Sequence, residues 1–307
     1  MATSRRSFLK YLGAGAVGVA LFPYQGCGSP SGSGSEEDTE ANLFFDISLA
    51  QWSLNRALFS GKLTNMEFPE YTVNQFDIHA VEYVNQFFKE HAQDQAYLSE
   101  LLQRTNDLGV QNVLIMVDGE GNLGAADEAE RLTAVENHYK WVEAAKFLGC
   151  HAIRVNAAGD GTPEEVKAAA IDGLSRLSEF GAQHDISVIV ENHGGISSHG
   201  DWLSAVLAGV GKDNCGSLPD FGNFYEYDRY QGVTDLMPFA KGVSAKANVF
   251  DENGNEPNID YERMLQIVKD AGYTGYIGIE YEGSELGEDE GILATKRLLE
   301  RVGASLS

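Results

Sequence analysis

Three acidic residues stand at the ends of short strand-like segments, and together they could bind a cation. These residues are Glu191, Asp220 and Glu280. Apolar runs of such length predict strands buried on both faces, and a carboxylate at the end of such a strand is a poor core residue. Several acids near one point repel each other unless a cation neutralises them. The pattern therefore predicts a metal site formed by Glu191, Asp220 and Glu280.

Other polar side chains are expected to face the same site, because side chains alternate along a strand. His193 lies two residues beyond Glu191 and therefore on the same side. The further candidates for substrate contacts are Glu82, Asn156, Asn192 and Lys246. Each acid could instead cap a following helix or pair with a base. For three acids on three separate strands, the metal hypothesis is favoured over that alternative.

The elements that would position these residues alternate along the chain. Strands are predicted at 44–49, 79–85, 111–117, 151–156, 186–191, 215–220, 242–247 and 276–280. Helices are predicted at 95–108, 127–148, 163–184, 260–271 and 285–302. This order over about 265 residues predicts an α/β fold with a single (β/α)8 TIM barrel, whose strand ends meet at one face. An open doubly wound sheet is the alternative, but the turn after the first strand lacks the glycine-rich phosphate loop.

The first 27 residues have the composition of an export signal. The run SRRSFLK at 4–10 precedes a short apolar stretch at 11–22, which is too short for an ordinary bilayer span. The run resembles a twin-arginine signal, and this implies export of a folded protein to the periplasm by the twin-arginine translocation machinery. A Sec signal with an accidental arginine pair is the alternative.

A tether is expected between this signal and the barrel. Cys27 follows the apolar stretch and could be the lipidated first residue of a membrane-anchored lipoprotein. Residues 28–41 are rich in serine, glycine and acids, a composition that cannot form a core and predicts a flexible linker. The predicted organisation is a signal peptide at 1–27, a linker at 28–41 and a barrel domain at 42–307.

The charge balance excludes several classes of partner. The chain has 46 acidic and 22 basic residues, a net charge of −24. Such a surface repels phosphate backbones and anionic membranes, and it disfavours a phosphorylated substrate without a local basic pocket. Nucleic acid is therefore not expected as a partner. The three cysteines do not suggest a disulfide framework, and Cys150 and Cys215 are expected to be small buried hydrophobic residues.

Four motifs resemble the xylose isomerase-like TIM barrel superfamily, the sugar phosphate isomerase/epimerase group, over residues 44–299. They are VENH at 190–193, LPDFGN at 218–223, GVSAK at 242–246 and IGIEY at 277–281. The resemblance implies a divalent metal ion (Mn²⁺, Mg²⁺, Co²⁺ or Zn²⁺) held by Glu, Asp, His and Glu from strands five to eight. Glu191, Asp220 and Glu280 match three of these four ligands.

Two positions depart from the pattern of that superfamily. The expected histidine ligand falls on Ser244, and a second histidine common three residues after the aspartate falls on Asn223. These changes leave fewer nitrogen ligands, which His193 could compensate. Asn223 is included among the candidates for substrate contacts.

The resemblance implies a sugar isomerase or epimerase. The metal would chelate two adjacent oxygens of a sugar, and Glu191 and Glu280 would form the acid/base pair that moves a proton through an ene-diolate. Export and the acidic surface favour a free sugar, a keto-sugar or a glycoside over a phosphorylated substrate. A lyase that acts on an oxidised sugar or a glycoside by the same enolisation is one alternative. A non-catalytic sugar-binding lipoprotein is another, because Ser244 replaces the histidine.

Aromatic side chains and long loops are expected to shape the sugar site. The aromatic candidates for stacking on a sugar are Trp52, Phe87, Phe88, Phe221 and Phe224, although packing in the core is the commoner use of such residues. The segments expected to be specificity loops are 59–76, 119–126 and 225–232.

Overall fold

The computed structural model describes residues 42–307, so the predicted signal, Cys27 and the linker lie outside the described residues. The strands are β1 (Asp46–Ala50), β2 (Ala80–Val84), β3 (Gln111–Met116), β4 (Ala152–Val155), β5 (Ser187–Glu191), β6 (Cys215–Leu218), β7 (Val243–Ala247) and β8 (Tyr276–Tyr281). The helices are α1 (Asn55–Phe59), α2 (Phe68–Phe76), α3 (Gln95–Leu108), α4 (Glu128–Leu148), α5 (Pro163–Gln183), α6 (Gly200–Val210), α7 (Arg229–Leu236), α8 (Tyr261–Asp270) and α9 (Glu288–Leu306).

All eight strands form one parallel sheet in the order β6-β5-β4-β3-β2-β1-β8-β7. The pairing of β1 with β8 curls the sheet, and its two edge strands meet just beyond the end of β6. There Ser244 N donates to Pro219 O at 2.9 Å, and Phe221 N donates to Ser244 O at 3.1 Å. The arrangement is that of an α/β TIM barrel, as the alternation of elements predicts.

The core has two layers. Between the sheet and the helices lies a large apolar cluster that includes the fully buried Trp141, Tyr83 and Phe68. A smaller cluster fills the barrel interior with Val84, Leu114, Met116, Ile189, Leu218 and their small neighbours. Both faces of each strand are therefore covered, which explains the near-continuous apolar runs in the sequence. Cys150 and Cys215 are free and buried, as expected.

Helix ends follow the signals in the sequence. α5 begins with a capping box in which Thr162 and Glu165 satisfy each other's main-chain N–H groups. α3 and α4 end at Gly109 and Gly149, whose φ angles of 64° and 78° require the left-handed conformation that glycine adopts without strain. The predicted ends of α3, α4, α5 and α8 lie within one residue of the observed ends, whereas α9 begins three residues later and ends four residues later than predicted.

Two predicted loops contain helices. The segment 59–76 includes α2, which buries Phe68, Thr72 and Phe76 at a spacing of four residues. Residues 225–232 run into α7. Both helices are short, and stretches of 8 or 9 residues give a weak periodic signal. Among residues 42–307, no helix has both the length and the hydropathy needed to cross a bilayer.

Candidate active site at the carboxyl ends of the strands

The structure brings the three predicted metal ligands together at the carboxyl end of the barrel. Glu191 is the last residue of β5, Asp220 follows β6 after Pro219, and Glu280 lies near the end of β8. Each offers one carboxylate oxygen, these oxygens lie within 4.8 Å of one another, and all three side chains are buried. Sequence positions 89 residues apart therefore form one site.

The segment after β6 fixes the orientation of Asp220. Asn192 holds its main chain at both polar atoms: Asn192 Nδ2 donates to Asp220 O at 3.0 Å, and Asp220 N donates to Asn192 Oδ1 at 2.8 Å. The carboxylate Oδ1 of Asp220 accepts hydrogen bonds from Gly222 N at 2.8 Å and Asn223 N at 2.9 Å. Asn192, predicted to contact substrate, is thus engaged by the main chain of Asp220.

A serine beside β8 holds Glu280 in a similar way. Ser53 Oγ donates to Ile279 O at 3.1 Å and accepts from Tyr281 N at 2.9 Å, so it fixes the main chain on both sides of Glu280. Ser53 follows β1, the neighbour of β8. This contact explains how a turn between β1 and α1 supports a carboxylate that is 227 residues away in the sequence.

The two positions that depart from the superfamily pattern both contact the acids. Ser244 Oγ lies 2.7 Å from Asp220 Oδ2 and 2.8 Å from Glu280 Oε2. A hydroxyl has one proton, so it donates to one of these carboxylates at a time. Asn223 Nδ2 donates to Glu191 Oε1 at 3.0 Å. Serine and asparagine therefore stand where the resemblance places imidazoles, and they supply neutral polar atoms.

Lys246 carries a buried positive charge into the cluster. Its Nζ lies 3.5 Å from Asp220 Oδ2, 3.2 Å from Glu280 Oε1 and 2.9 Å from Glu282 Oε1. A Cβ at Gly222 would approach Lys246 Cγ to 2.6 Å, so glycine at that position leaves room for the lysine stem. The ammonium, predicted to contact substrate, is surrounded by three carboxylates.

Arg154 and Asp118 complete the site and were not singled out from the sequence. Arg154 Nη1 donates to Asp118 Oδ1 at 2.8 Å, and its Nε lies 2.8 Å from Glu191 Oε2. Asn156 Nδ2 donates to the same Asp118 oxygen at 2.7 Å. Arg154 is two residues before Asn156 in an otherwise apolar strand, so alternation along β4 is the signal that could have indicated it.

Burial and neighbouring charges separate the pKa values of the acids. Burial raises the pKa of Glu191 to about 8; Glu280 and Asp220 add to this effect, and Arg154 opposes it. Burial also raises the pKa of Asp220 to about 6, against the ammonium of Lys246. For Glu280, the effect of burial is outweighed by Lys246, the Ser244 hydroxyl and Arg154, which lower its pKa. The site thus contains carboxyl groups that hold their protons with different strengths, as acid/base pairs require.

Glu82 is a residue of β2 whose side chain lies inside the barrel. Its carboxyl group approaches Ser48 on β1 and Gly278 on β8. Ser48 Oγ donates to Glu82 Oε1 at 2.6 Å, and the missing side chain of Gly278 leaves room for the carboxyl group. Glu82 Oε2 has no hydrogen-bond partner among the described residues. Burial raises the pKa of Glu82 to about 7, partly offset by the Ser48 hydroxyl. This predicted substrate contact is therefore a buried acid that deprotonates near neutrality.

Glu82→Gln is expected to change how stability depends on pH. Because the folded-state pKa of about 7 exceeds the ordinary glutamate pKa of 4.5, the folded state retains this proton as pH rises and the wild type loses stability over that interval. The free energy of unfolding of the wild type falls by about 3 kcal/mol, the amount that corresponds to this pKa difference, and the fall is complete above pH 7. Glutamine does not titrate, so the variant should gain that amount relative to the wild type between pH 5 and pH 8. Urea unfolding at the two pH values measures it, and parallel pH profiles would contradict the assignment.

The rim of the barrel carries aromatic rings on one side. Trp52 and Phe87 pack on the interior cluster, and their ring centroids are 6.2 Å apart. Phe59 lies 5.9 Å from Trp52 and 5.0 Å from Phe87, and it is 62% exposed. The other aromatic candidates, Phe88, Phe221 and Phe224, are buried core residues. The expectation that those three form a sugar-stacking wall is therefore wrong, because packing in the core occupies their faces. His193 is exposed at the rim.

The donor set of the acidic cluster suits a hard divalent cation. Carboxylate oxygens are the ligands that Mg²⁺ and Mn²⁺ prefer, and three of them converge here with the Ser244 hydroxyl between two. Glu191 Oε2 has no aligned hydrogen bond among the described residues, but Arg154 Nε lies 2.8 Å from it, so a metal cation would compete with the guanidinium for this oxygen. The residues present could hold a divalent cation, with the Lys246 ammonium as a competing positive charge.

Asp220→Ala is expected to weaken cation binding by about ten-fold or more, since it removes one of three converging carboxylates. Isothermal titration with Mn²⁺ and elemental analysis of the loaded protein measure the change. Asp213→Ala is the matched control, because Asp213 is an exposed acid in the turn before β6. Circular dichroism checks that both variants are folded. Equal metal content in the two variants would contradict the assignment of the site.

The chain is similar to one protein family over most of its length and to two individual proteins over short segments. The pattern of the xylose isomerase-like TIM barrel family matches residues 72–302. A 3'-dehydrocarminate deglycosidase alpha subunit from Microbacterium sp. is 39% identical over 59 residues, which are 19% of this chain and 17% of that protein. A C-glycoside deglycosidase alpha subunit from Arthrobacter globiformis is 41% identical over 66 residues, 20% of this chain and 19% of that protein. The chain therefore matches less than a fifth of the length of each relative.

Solved structures of low sequence identity share the fold. D-psicose 3-epimerase in the presence of D-fructose has a TM-score of 0.67 at 13% identity, and the match covers 85% of this chain and 100% of that one. The apo form of 3-keto-D-glucoside 4-epimerase from E. coli has a TM-score of 0.63 at 14% identity, over 77% and 94% of the two chains. The IolI protein with a bound zinc atom has a TM-score of 0.66 at 14% identity, over 85% and 99%. With its matched pattern and its eight-stranded parallel sheet, the chain belongs to the xylose isomerase-like TIM barrel family.

Proposed function

We propose that the protein is a metal-dependent isomerase or epimerase of a non-phosphorylated sugar or keto-sugar. The observation that carries the proposal is the convergence of Glu191, Asp220 and Glu280 within 4.8 Å at the carboxyl end of the barrel. Active sites of TIM barrels are built at this face. Structures with the same fold include D-psicose 3-epimerase and 3-keto-D-glucoside 4-epimerase, which supports carbohydrate chemistry.

The chemistry would be proton transfer at a carbon next to a carbonyl group. A divalent cation held by the three carboxylates would polarise the carbonyl and acidify the neighbouring C–H bond. Glu191 and Glu280 form the acid/base pair: one removes the proton, and the other returns a proton to the opposite face or to the adjacent carbon. Asp220 is the anchoring ligand, because two main-chain N–H groups fix its Oδ1.

Two buried cations would stabilise the negative charge of the ene-diolate. Arg154 lies against Glu191, and Lys246 lies against Asp220 and Glu280. Fixed charges in a water-poor site stabilise developing charge more strongly than the same groups in water. The two positively charged side chains thus favour the negatively charged ene-diolate over the neutral sugar.

A lyase is the second candidate, and the short matches to two deglycosidase alpha subunits favour it. The same enolisation that exchanges a proton can expel a substituent from the next carbon. An oxidised glycoside would then lose its substituent after Glu191 or Glu280 has removed the proton. The catalytic residues are the same in both candidates, so the fate of the substituent separates them.

Proton exchange in D₂O tests the proposal. The purified protein, loaded with Mn²⁺ or Mg²⁺, is incubated with a panel of ketoses and 3-keto-glycosides, and deuterium incorporation is followed by NMR. We expect exchange at one carbon next to the carbonyl group. Release of the substituent together with exchange would favour the lyase. Sugar binding without exchange of any proton would contradict both enzymes and favour a sugar-binding protein.

The proposal includes export through the twin-arginine machinery and anchoring through Cys27. The run at 4–10, the apolar stretch at 11–22 and the serine- and glycine-rich tether after Cys27 support it. The acidic surface would suit a protein outside the cytoplasm that acts on uncharged sugars. Cell fractionation measures the location, and recovery of the full-length protein in the cytoplasm alone would contradict export.

A further inference from the structure

A side cavity of about 210 Å³ lies between the segments that follow β3, β4 and β5. Its wall includes Glu120, His138, Asn156, Ala158, His193 and Ser197. One chain of contacts joins it to the acidic cluster: Asn156 and Arg154 share an oxygen of Asp118, and Arg154 contacts Glu191. His193, two residues beyond Glu191, also lines the cavity, so the cavity adjoins the end of β5 that carries Glu191.

His138 presents a hydrogen-bond acceptor to the cavity. It is a buried residue of α4, and its Nδ1 lies 2.7 Å from Ala134 O. A carbonyl oxygen can only accept, so Nδ1 carries the proton in this pair. Burial lowers the pKa of His138 and keeps the ring neutral, which leaves Nε2 as an acceptor. Nε2 has no hydrogen-bond partner among the described residues.

Asn156 presents a second acceptor. Its Nδ2 donates to Asp118 Oδ1, and this contact fixes which end of the amide faces the carboxylate. The oxygen at the other end, Oδ1, is buried and has no hydrogen-bond partner among the described residues. A buried acceptor without a donor is costly, and a ligand hydroxyl would satisfy it.

The charges around the cavity favour a neutral ligand. The carboxylate of Glu120 is bonded by Lys140 Nζ and by Trp141 Nε1, both at 2.9 Å. The described residues that line the cavity include neither lysine nor arginine, so an anionic group would find no cation there. Two neutral acceptors call for a ligand with hydrogen-bond donors, which the hydroxyl groups of a sugar supply.

The size of the cavity fits one sugar ring. At roughly 30 Å³ per water molecule, the volume corresponds to about seven waters. The segment Glu120, Gly121 and Asn122 also lines a larger, open groove of about 730 Å³ that leads toward Asp127 and Glu130. A ring in the cavity could therefore carry further substituents into solvent.

We propose that this side cavity binds a second hydroxylated ring, so that the natural substrate is a glycosylated sugar and the ring next to the reacting one donates hydroxyl groups to His138 Nε2 and Asn156 Oδ1. This inference rests on the proposed function, because it places the reacting ring over Glu191 and Glu280. In this proposal, His138 and the segment after β3 select substrates that are larger than a monosaccharide.

Calorimetric titration with defined sugars tests the inference. The ligands are D-fructose and the four glucosyl-fructoses linked through O3, O4, O5 and O6: turanose, maltulose, leucrose and isomaltulose. At least one disaccharide should bind the Mn²⁺-loaded protein about ten-fold more tightly than D-fructose, as hydrogen bonds to two buried acceptors predict. His138→Phe and Ala158→Trp should each reduce this ratio to about one. Ala158 is exposed, so its variant keeps the test available if His138→Phe does not fold.

His184→Phe is the matched control and should retain the ratio, because His184 lies at the opposite end of the barrel, where α5 leads into β5. The inference is overturned if no disaccharide binds more tightly than D-fructose, or if a folded cavity variant keeps the ratio. Deuterium exchange is measured on the same sugars. Preference for a disaccharide without exchange overturns the proposed enzyme and supports the cavity, whereas exchange without the preference overturns the cavity alone.

Discussion

Glu280→Gln is expected to lower the rate of proton exchange by about 10²- to 10⁴-fold, the range that general acid/base groups contribute. The amide cannot accept the substrate proton, yet it has nearly the same shape as the carboxylate. Its oxygen can still accept from Ser244 Oγ, and Lys246 keeps its contacts with Asp220 and Glu282. The fold should therefore remain intact, with a melting temperature close to that of the wild type.

Glu282→Gln is the matched control for this variant. Glu282 also contacts Lys246, at 2.9 Å, but its side chain is 36% exposed and lies outside the carboxylate cluster. Loss of its charge should leave proton exchange within a few-fold of the wild type. A rate of proton exchange that is unchanged in Glu280→Gln would contradict the proposed mechanism. Equal losses in both variants would show that the charge balance at Lys246 is responsible, and Glu280 would lose its role as acid or base.

The sequence predicts the barrel well because its signals are local. Most strands contain a short run of apolar residues, and glycines such as Gly109 and Gly149 mark the helix ends before β3 and β4. The prediction for the sixth strand extends too far, to Asp220, whereas β6 ends at Leu218. Proline has no N–H to donate to a ladder, so Pro219 ends the regular pairing. Asp220 then pairs with Ser244 through an isolated bridge that joins the two edges of the sheet.

The contacts within the site depend on the register of neighbouring strands and are harder to predict. Alternation brings Arg154 and Asn156 to one side of β4, but their shared partner, Asp118, follows a different strand. The same holds for Lys246, whose three carboxylate neighbours come from two further segments. A single sequence gives the face on which a side chain lies. The identity of the neighbour across the strand pair requires the folded structure.

The charges of the site are balanced within the protein to a large extent. Three carboxylates, Glu191, Asp220 and Glu280, face two buried cations, and each acid has one of these cations within 3.5 Å. Buried charges are tolerated only when they are paired. Asp118 and Glu282 contact the same two cations, so carboxyl groups outnumber the buried cations, and this excess attracts a divalent cation. The two side chains that balance the acids therefore also limit how tightly a metal binds.

Arg154→Met is expected to destabilise the protein by about 3–5 kcal/mol, the cost of removing one partner of a buried ion pair. Arg154 is 3% exposed and is the cation that faces both Glu191 and Asp118. Without it, these carboxylates remain in the barrel without a matching charge, and the pKa of Glu191 should rise further. Urea unfolding monitored by circular dichroism measures the loss. A loss below about 1 kcal/mol would contradict the role assigned to the pair.

The double variant Arg154→Met/Glu191→Gln separates this effect from lost packing. If the cost comes from an uncompensated carboxylate, neutralising Glu191 should restore part of the stability that Arg154→Met loses, because the amide carries no charge to bury. If the lost stability of Arg154→Met comes from lost packing of the arginine side chain, Glu191→Gln should lower the stability further. Arg154→Lys provides the intermediate case, since an ammonium keeps the charge but cannot reach Asp118 and Glu191 with two separate nitrogens. The ion network predicts that stability falls in the order wild type, Arg154→Lys, the double variant and Arg154→Met.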